Sequence, residues 1–306
     1  MTCRKRARLV KSKRMEKLKN NIHDTALIFE GGGMRASFSS GVLNVLLEEE
    51  YYFDYVCGVS AGASCTINYL SRDQERARKS FIDIAKYPEF GGWGHFVKGN
   101  GFFNAKWIYE ETCRDILPFD IDTFNANPAR MKISAIEADS ALPRFWDKTQ
   151  LTKLEQLVQA VRASSTLPIM MPPLTIDGKI YYDGGLRNGL ELDTARNDGM
   201  TRFVVVLTRE KNYRKTIQSH RPLLRFYLRR YPKLLKLLAQ RHLNYNKTLD
   251  ELSALENSGH ALLIYPEKMA INSSCRDLAA LEANYEQGYR QARQILPKLE
   301  NFLKSN

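Results

Sequence analysis

Apolar side chains recur along the chain in short blocks set off by glycine, and the spacing within each block predicts its element. Ala26-Leu27-Ile28-Phe29 is a continuous apolar run of strand length, halted by Gly31-Gly32-Gly33, after which Val42, Leu43, Val45, Leu46 and Leu47 return at helical spacing. A second strand-like segment, Tyr51 to Val59, ends at Ser60, and Ala63 to Leu70 resumes as a helix. Two successive strand-to-helix units predict a mostly parallel sheet with helices on both faces, so the fold class is α/β. Further strands are predicted at Lys132 to Ile136, Pro143 to Trp146, Lys179 to Tyr182, Phe203 to Leu207 and Ala261 to Tyr265. Helices are predicted at Leu151 to Ala163 and Asp277 to Leu303, the second interrupted at Pro297.

Composition narrows the class. With 306 residues, 43% of them apolar, the chain can bury a full core. No apolar run approaches the roughly 20 residues of a membrane-spanning helix. The basic N-terminus never reaches the apolar stretch of a secretory signal, and a cytoplasmic protein is expected. Cys3, Cys57, Cys65, Cys113 and Cys275 are odd in number and widely spaced, which predicts reduced thiols and no metal or other cofactor.

Charge changes the picture more than composition does. The net +12 is concentrated in two segments: residues 1–20 set nine Lys/Arg against Glu16 alone, and residues 209–242 set eleven against Glu210 alone. The rest of the chain is mildly acidic, so an anionic partner meets those two segments first.

Three short motifs carry candidate chemistry. Gly58-Val59-Ser60-Ala61-Gly62 lies between a predicted strand and a predicted helix, where a serine on a tight bend projects its hydroxyl. The backbone amides of Gly31 to Gly33, at a helix N-terminus on the neighbouring strand, are suited to hold an oxyanion in the same crevice. Gly31-x-Gly33-x-x-Ala36 also fits a dinucleotide fingerprint, but the following strand ends at Ser60, with no acidic residue for a ribose, and no Gly-Lys-Ser/Thr follows the glycines. Asp183 ends a short strand ahead of Gly184-Gly185 and can accept a serine proton if burial raises its pKa. Of the histidines, His23 precedes the first strand and His220 and His242 fall in the basic segment. His95 and His260 remain as alternative bases, His260 within a Ser-Asp-His triad of the α/β-hydrolase kind.

Gly31-Gly32-Gly33-Met34-Arg35-Ala36, Gly58-Val59-Ser60-Ala61-Gly62 and Asp183-Gly184-Gly185, in that order, resemble the patatin-like phospholipases over roughly residues 25–209. The resemblance implies a three-layer α/β/α sandwich and cleavage of acyl esters of phospholipids or related lipids without a metal. It also implies a Ser60-Asp183 dyad, an oxyanion hole in the Gly31 to Gly33 loop, and Arg35 as a helper beside it. Ala36 departs from the glycine frequent there in the family. The expected organisation is a basic arm over 1–22, a catalytic domain over 23–208, and a closing portion over 209–306. Arg221 to His242 alternates cations with leucines and aromatics, divided by Pro232, and suits a lid, an anionic-membrane contact together with residues 1–20, or a core-packed helix. No nucleic-acid module accompanies the charge. A catalytically silent membrane-binding protein of the same fold is the reading from a different class.

Overall fold

The computed structural model describes residues 18–97, 99, 101–217 and 222–305. Most of the basic arm, with Cys3, and His220 and Arg221 of the second basic segment lie outside the described residues.

Eight strands form one sheet: β1 (Ile22–Phe29), β2 (Phe53–Gly58), β3 (Arg130–Glu137), β4 (Pro143–Asp147), β5 (Leu174–Ile176), β6 (Lys179–Asp183), β7 (Arg202–Val206) and β8 (Ala261–Ile264). The main helices are α1 (Ser37–Glu48), α2 (Ala61–Leu70), α3 (Leu154–Ser165), α4 (Pro232–Asn257) and α5 (Leu278–Lys304). Strands β3, β2, β1, β7 and β8 lie side by side and parallel, while β4 and β6 run antiparallel to β3 and β5 pairs with β6.

Alternation along the central strands builds two cores. Leu27, Phe29, Val56, Val204 and Val206 face a cluster shared with α1, α2, α3 and Leu299 of α5. Ala26, Ile28, Tyr55, Phe203 and Val205 face the opposite layer, where Tyr245, Leu249 and Leu252 of α4 cover them. Because both faces are covered, these strands read as unbroken apolar runs, as a parallel sheet between helices requires. The segment after β7 adds β8 to the same sheet and packs α5 on α1.

The arrangement around β3 positions the site. β4 occupies one edge of β3, so β2 and β6 share the other, β2 reaching Ile133 through Gly58 and β6 beginning at Ala135 through Asp183. β2 and β6 therefore meet head to head, their C-terminal ends two residues apart along β3.

Two prolines behave differently. Pro232 opens α4, where its missing N–H is harmless, and separates it from the short helix Pro222–Tyr227, matching the expected division. The break expected at Pro297 does not occur: α5 continues through it. Pro297 and Arg293, whose carbonyl it leaves unbonded, are both exposed, while Ala292 and Leu299 anchor the helix on either side. Cys57, Cys65, Cys113 and Cys275 are unpaired. Among the described residues no helix is long and apolar enough to cross a membrane.

Candidate active site

The turn after β2 places Ser60 at φ 58° and ψ −127°, a conformation that side-chain-bearing residues rarely adopt and that the surrounding packing must hold. Its amide donates to Ser164 Oγ of α3 at 2.9 Å, and the turn closes through Gly62 N–H to the Val59 carbonyl at 2.9 Å. Held in this way, the hydroxyl donates to Asp183 Oδ2 at 2.7 Å. The other carboxylate oxygen, Oδ1, accepts the Gly185 amide at 2.6 Å, and the Asp183 amide donates to the Thr166 carbonyl at 2.8 Å. Ser60 is 8% exposed and Asp183 2%. Burial pushes the Asp183 carboxyl up from 3.8 to about 6, against the opposing pull of the Ser60 hydroxyl, the Gly185 amide and Arg241. A carboxylate so placed is ionised at neutral pH yet more basic than an ordinary aspartate.

The glycine loop reaches the same point from β1. A β-carbon on Gly31 would stand 2.9 Å from the Val59 carbonyl oxygen and 3.2 Å from Ser60 Cβ, so only glycine lets the loop lie against the serine turn. The Gly31 amide itself donates to the Gly189 carbonyl at 3.1 Å, which removes it from any oxyanion role. Gly32 and Gly33 donate no amide hydrogen bond among the described residues, and Gly33 sits at φ 57°, a left-handed conformation suited to glycine. Arg35 follows on the turn Gly33–Ala36; its carbonyl accepts from Asn284 Nδ2 of α5 at 3.1 Å.

Two cavities open on Ser60 and its surroundings. One, narrow and apolar at about 100 Å³, runs inward from Ser60 between α2 and α3, past Ile67, Phe81, Val158 and Val161. Thr112 and Cys113, on the π-helical segment Trp107–Ile116, also line it. The other, about 600 Å³, lies beneath the basic segment and is lined by Lys215, Leu223, Leu238, Arg241 and His242. Phe103, Leu167 and Ser273 border both.

Of the described histidines, only His242 lines either cavity. His95 is in the short helix Trp93–Val97, and His23 bonds Asp54. His260 directly precedes β8, at the N-terminal end of the parallel strands, whereas Ser60 lies beyond the C-terminal end of β2. Among the described residues no histidine bonds Ser60 or Asp183. The His260 triad is therefore not assembled in this fold.

The family model of the patatin-like phospholipases matches residues 27–196, more than half the chain and a span that holds the glycine loop, Ser60 and Asp183. The chain belongs to the patatin-like phospholipase family. Residues 231–304 of this patatin-like protein match a second model, a domain of unknown function (DUF6363), which covers α4, β8 and α5. The chain is 28% identical over 189 residues to the uncharacterized protein YjjU of Escherichia coli, covering 60% of this chain and 51% of that protein. It is 24% identical over 221 residues to the triacylglycerol lipase ptl2 of Schizosaccharomyces pombe, covering 64% of this chain and 35% of the lipase. Human patatin-like phospholipase domain-containing protein 6 is 28% identical over 200 residues, 59% of this chain and 13% of its own length. The patatin-like chain thus spans between 13% and 51% of the length of these relatives. VipD from Legionella pneumophila has a similar fold, with a TM-score of 0.50 at 11% identity over 90% of this chain and 67% of that one.

Several residues of this patatin-like site carried no signal in the sequence. Ser164 and Thr166 sit at the end of an ordinary amphipathic helix, and Arg241 and Tyr245 lie on α4 more than fifty residues beyond Asp183. Only a register that brings β6 against the end of β2 reveals them.

Proposed function

We propose that the protein is a lipid acyl hydrolase in which Ser60 is the nucleophile and Asp183 the general base. The observation that carries the reading is the buried 2.7 Å hydrogen bond from Ser60 Oγ to Asp183 Oδ2, formed without a histidine. As Ser60 Oγ attacks the ester carbonyl, its proton passes to Asp183 and the oxyanion forms against the amides of Gly32 and Gly33. Collapse breaks the ester bond, and the leaving alcohol takes the proton from Asp183. Water, deprotonated by the same carboxylate, then releases the fatty acid from Ser60. The cavity beside Ser60 has an apolar lining and room for the first carbons of an acyl chain, which favours an acyl ester over a polar one. Family membership and the names of the phospholipase and lipase relatives support the lipid class.

The protein would meet its substrate at a membrane surface. On the helix Pro222–Tyr227, Leu223 and Phe226 are exposed beside Arg225 and Arg229, a pairing of apolar and cationic groups suited to an anionic interface.

A fluorophosphonate tests the chemistry directly, since attack by Ser60 Oγ forms an oxygen–phosphorus bond and expels fluoride. Intact mass should show one adduct on the wild type and none on Ser60→Ala, with Asp183→Asn reacting far more slowly. Vesicle binding with no adduct and no fatty acid released from any glycerolipid would show a catalytically silent membrane-binding module instead.

A further inference from the structure

Four cations crowd one side of the Ser60–Asp183 pair, and none of their side chains has a hydrogen-bond or ion-pair partner among the described residues. Arg35 comes from the turn after the glycine loop, Arg209 and Lys215 from the segment after β7, and Arg241 from α4. Arg209 and Lys215 share the Tyr213–Tyr245 pair. Lys215 Nζ lies 4.4 Å from the Tyr245 ring centre and the Arg209 guanidinium 4.4 Å from that of Tyr213, while the Tyr245 hydroxyl donates to Glu30 Oε1 at 2.7 Å. A β-carbon placed on Gly185 would stand 3.8 Å from Arg241 Nη2. Burial, with the repulsion of Arg209, lowers Arg35 to about 10; burial, with the repulsion of Arg241, Arg35 and Arg209, lowers Lys215 to about 7.

Arg162, Arg196 and Arg293, by contrast, pair with Glu110, Glu251 and Glu48. In this cluster, no head group donates a hydrogen bond or comes within ion-pair distance of a carboxylate among the described residues. The Nε atoms of Arg35, Arg209 and Arg241 are shielded and unbonded. Glu30 does not neutralise them by contact, because its oxygens already accept the Tyr245 hydroxyl and, at 2.5 Å, the Thr208 amide. Asp183 is held by Ser60 and Gly185. Unpaired guanidinium groups gathered at like charge oppose folding, and their forked donors match phosphate oxygens.

Lys215 and Arg241 line the outer cavity, which meets the inner apolar one at Phe103, Leu167 and Ser273. A lipid whose acyl chain enters the inner cavity and whose ester reaches Ser60 extends its head group into the outer one. We propose that Arg35, Arg209, Lys215 and Arg241 form a phosphate subsite that selects acyl lipids bearing a phosphate monoester over zwitterionic or neutral ones. This rests on the acyl-hydrolase reading for the selection, while phosphate binding stands apart from it.

The test uses the full chain, with Arg209→Gln, Arg241→Gln and the double variant. Inorganic phosphate and glycerol 3-phosphate, against chloride at equal ionic strength, should raise the Tm of wild type and Ser60→Ala alike, and the double variant should lose that shift. Turnover should favour lysophosphatidic acid over lysophosphatidylcholine and monoacylglycerol of the same chain. The ratio of these kcat/KM values should fall about ten- to a hundredfold in either single variant. The cations having no carboxylate within ion-pair distance, the variants without phosphate should melt no more than a few degrees below wild type, the loss expected from one ring contact; melting far below it would mark a structural role and overturn the proposal. Absence of any phosphate-dependent Tm shift would overturn it as well, whether or not the protein hydrolyses lipids. A shift without preference among the lipids would overturn head-group selection and leave free phosphate as the ligand. A shift with no turnover of any lipid would sustain phosphate binding and remove the hydrolase reading.

Discussion

Ser60 and Asp183 are both held in states that oppose stability. A serine at φ 58° and ψ −127° stores on the order of 1–3 kcal/mol of backbone strain. Asp183 has a folded-state pKa of about 6 against an ordinary 3.8, so the ionised carboxylate opposes folding above pH 6 by about 3 kcal/mol. The penalty fades as pH falls through 6 and is gone below 3.8, where the group is protonated in both states. Asp183→Asn should accordingly raise Tm at pH 8 and leave it nearly unchanged near pH 4, a difference that calorimetry at the two pH values reads directly. On the proposed mechanism Asp183 must be unprotonated to act as base, so wild-type kcat/KM on a soluble ester should rise as pH increases through about 6.

At the scale of elements, the basic segment is divided between two tasks. Leu228 and Leu234 are fully buried against Ile136, Tyr182 and Leu186 at the β3–β6 end of the sheet, whereas Phe226 is 65% exposed. In urea unfolding, Leu234→Ala should lose about 2–5 kcal/mol, the range for a core truncation, and Phe226→Ala should stay within about 0.5 kcal/mol. The cations of the same segment explain what was legible in the sequence and what was not. Periodicity marks β1, β2, β7 and β8 because each is short, apolar and closed by glycine or a loop, and the Ser60 and Asp183 motifs lie at strand ends that periodicity also marks. It does not mark β5, three residues long, nor the π-helical segment, whose period differs from that of an α-helix. Within a run of eleven cations, nothing local distinguishes Arg209, Lys215 and Arg241, which turn inward, from Arg225 and Arg229, which stay exposed. That distinction is made by the packing of α4 across the sheet.

At the scale of the whole molecule, the site gathers the ends of β1, β2 and β6 with α4, and its members are distant in the chain. The meeting of β2 and β6 head to head on one edge of β3 brings together residues 123 positions apart. Closing so long a loop is slow compared with forming helices, so the serine turn and the carboxylate meet late in folding. During refolding from urea, reactivity toward a fluorophosphonate should therefore recover with the slowest phase and trail the helical signal in far-ultraviolet circular dichroism. An unfinished chain, with its strands unpaired and its apolar surfaces open to any membrane nearby, would hold Ser60 without Asp183. On the proposed mechanism the strand register thus acts as a safety catch, withholding lipid-cleaving chemistry until the rest of the protein is in place.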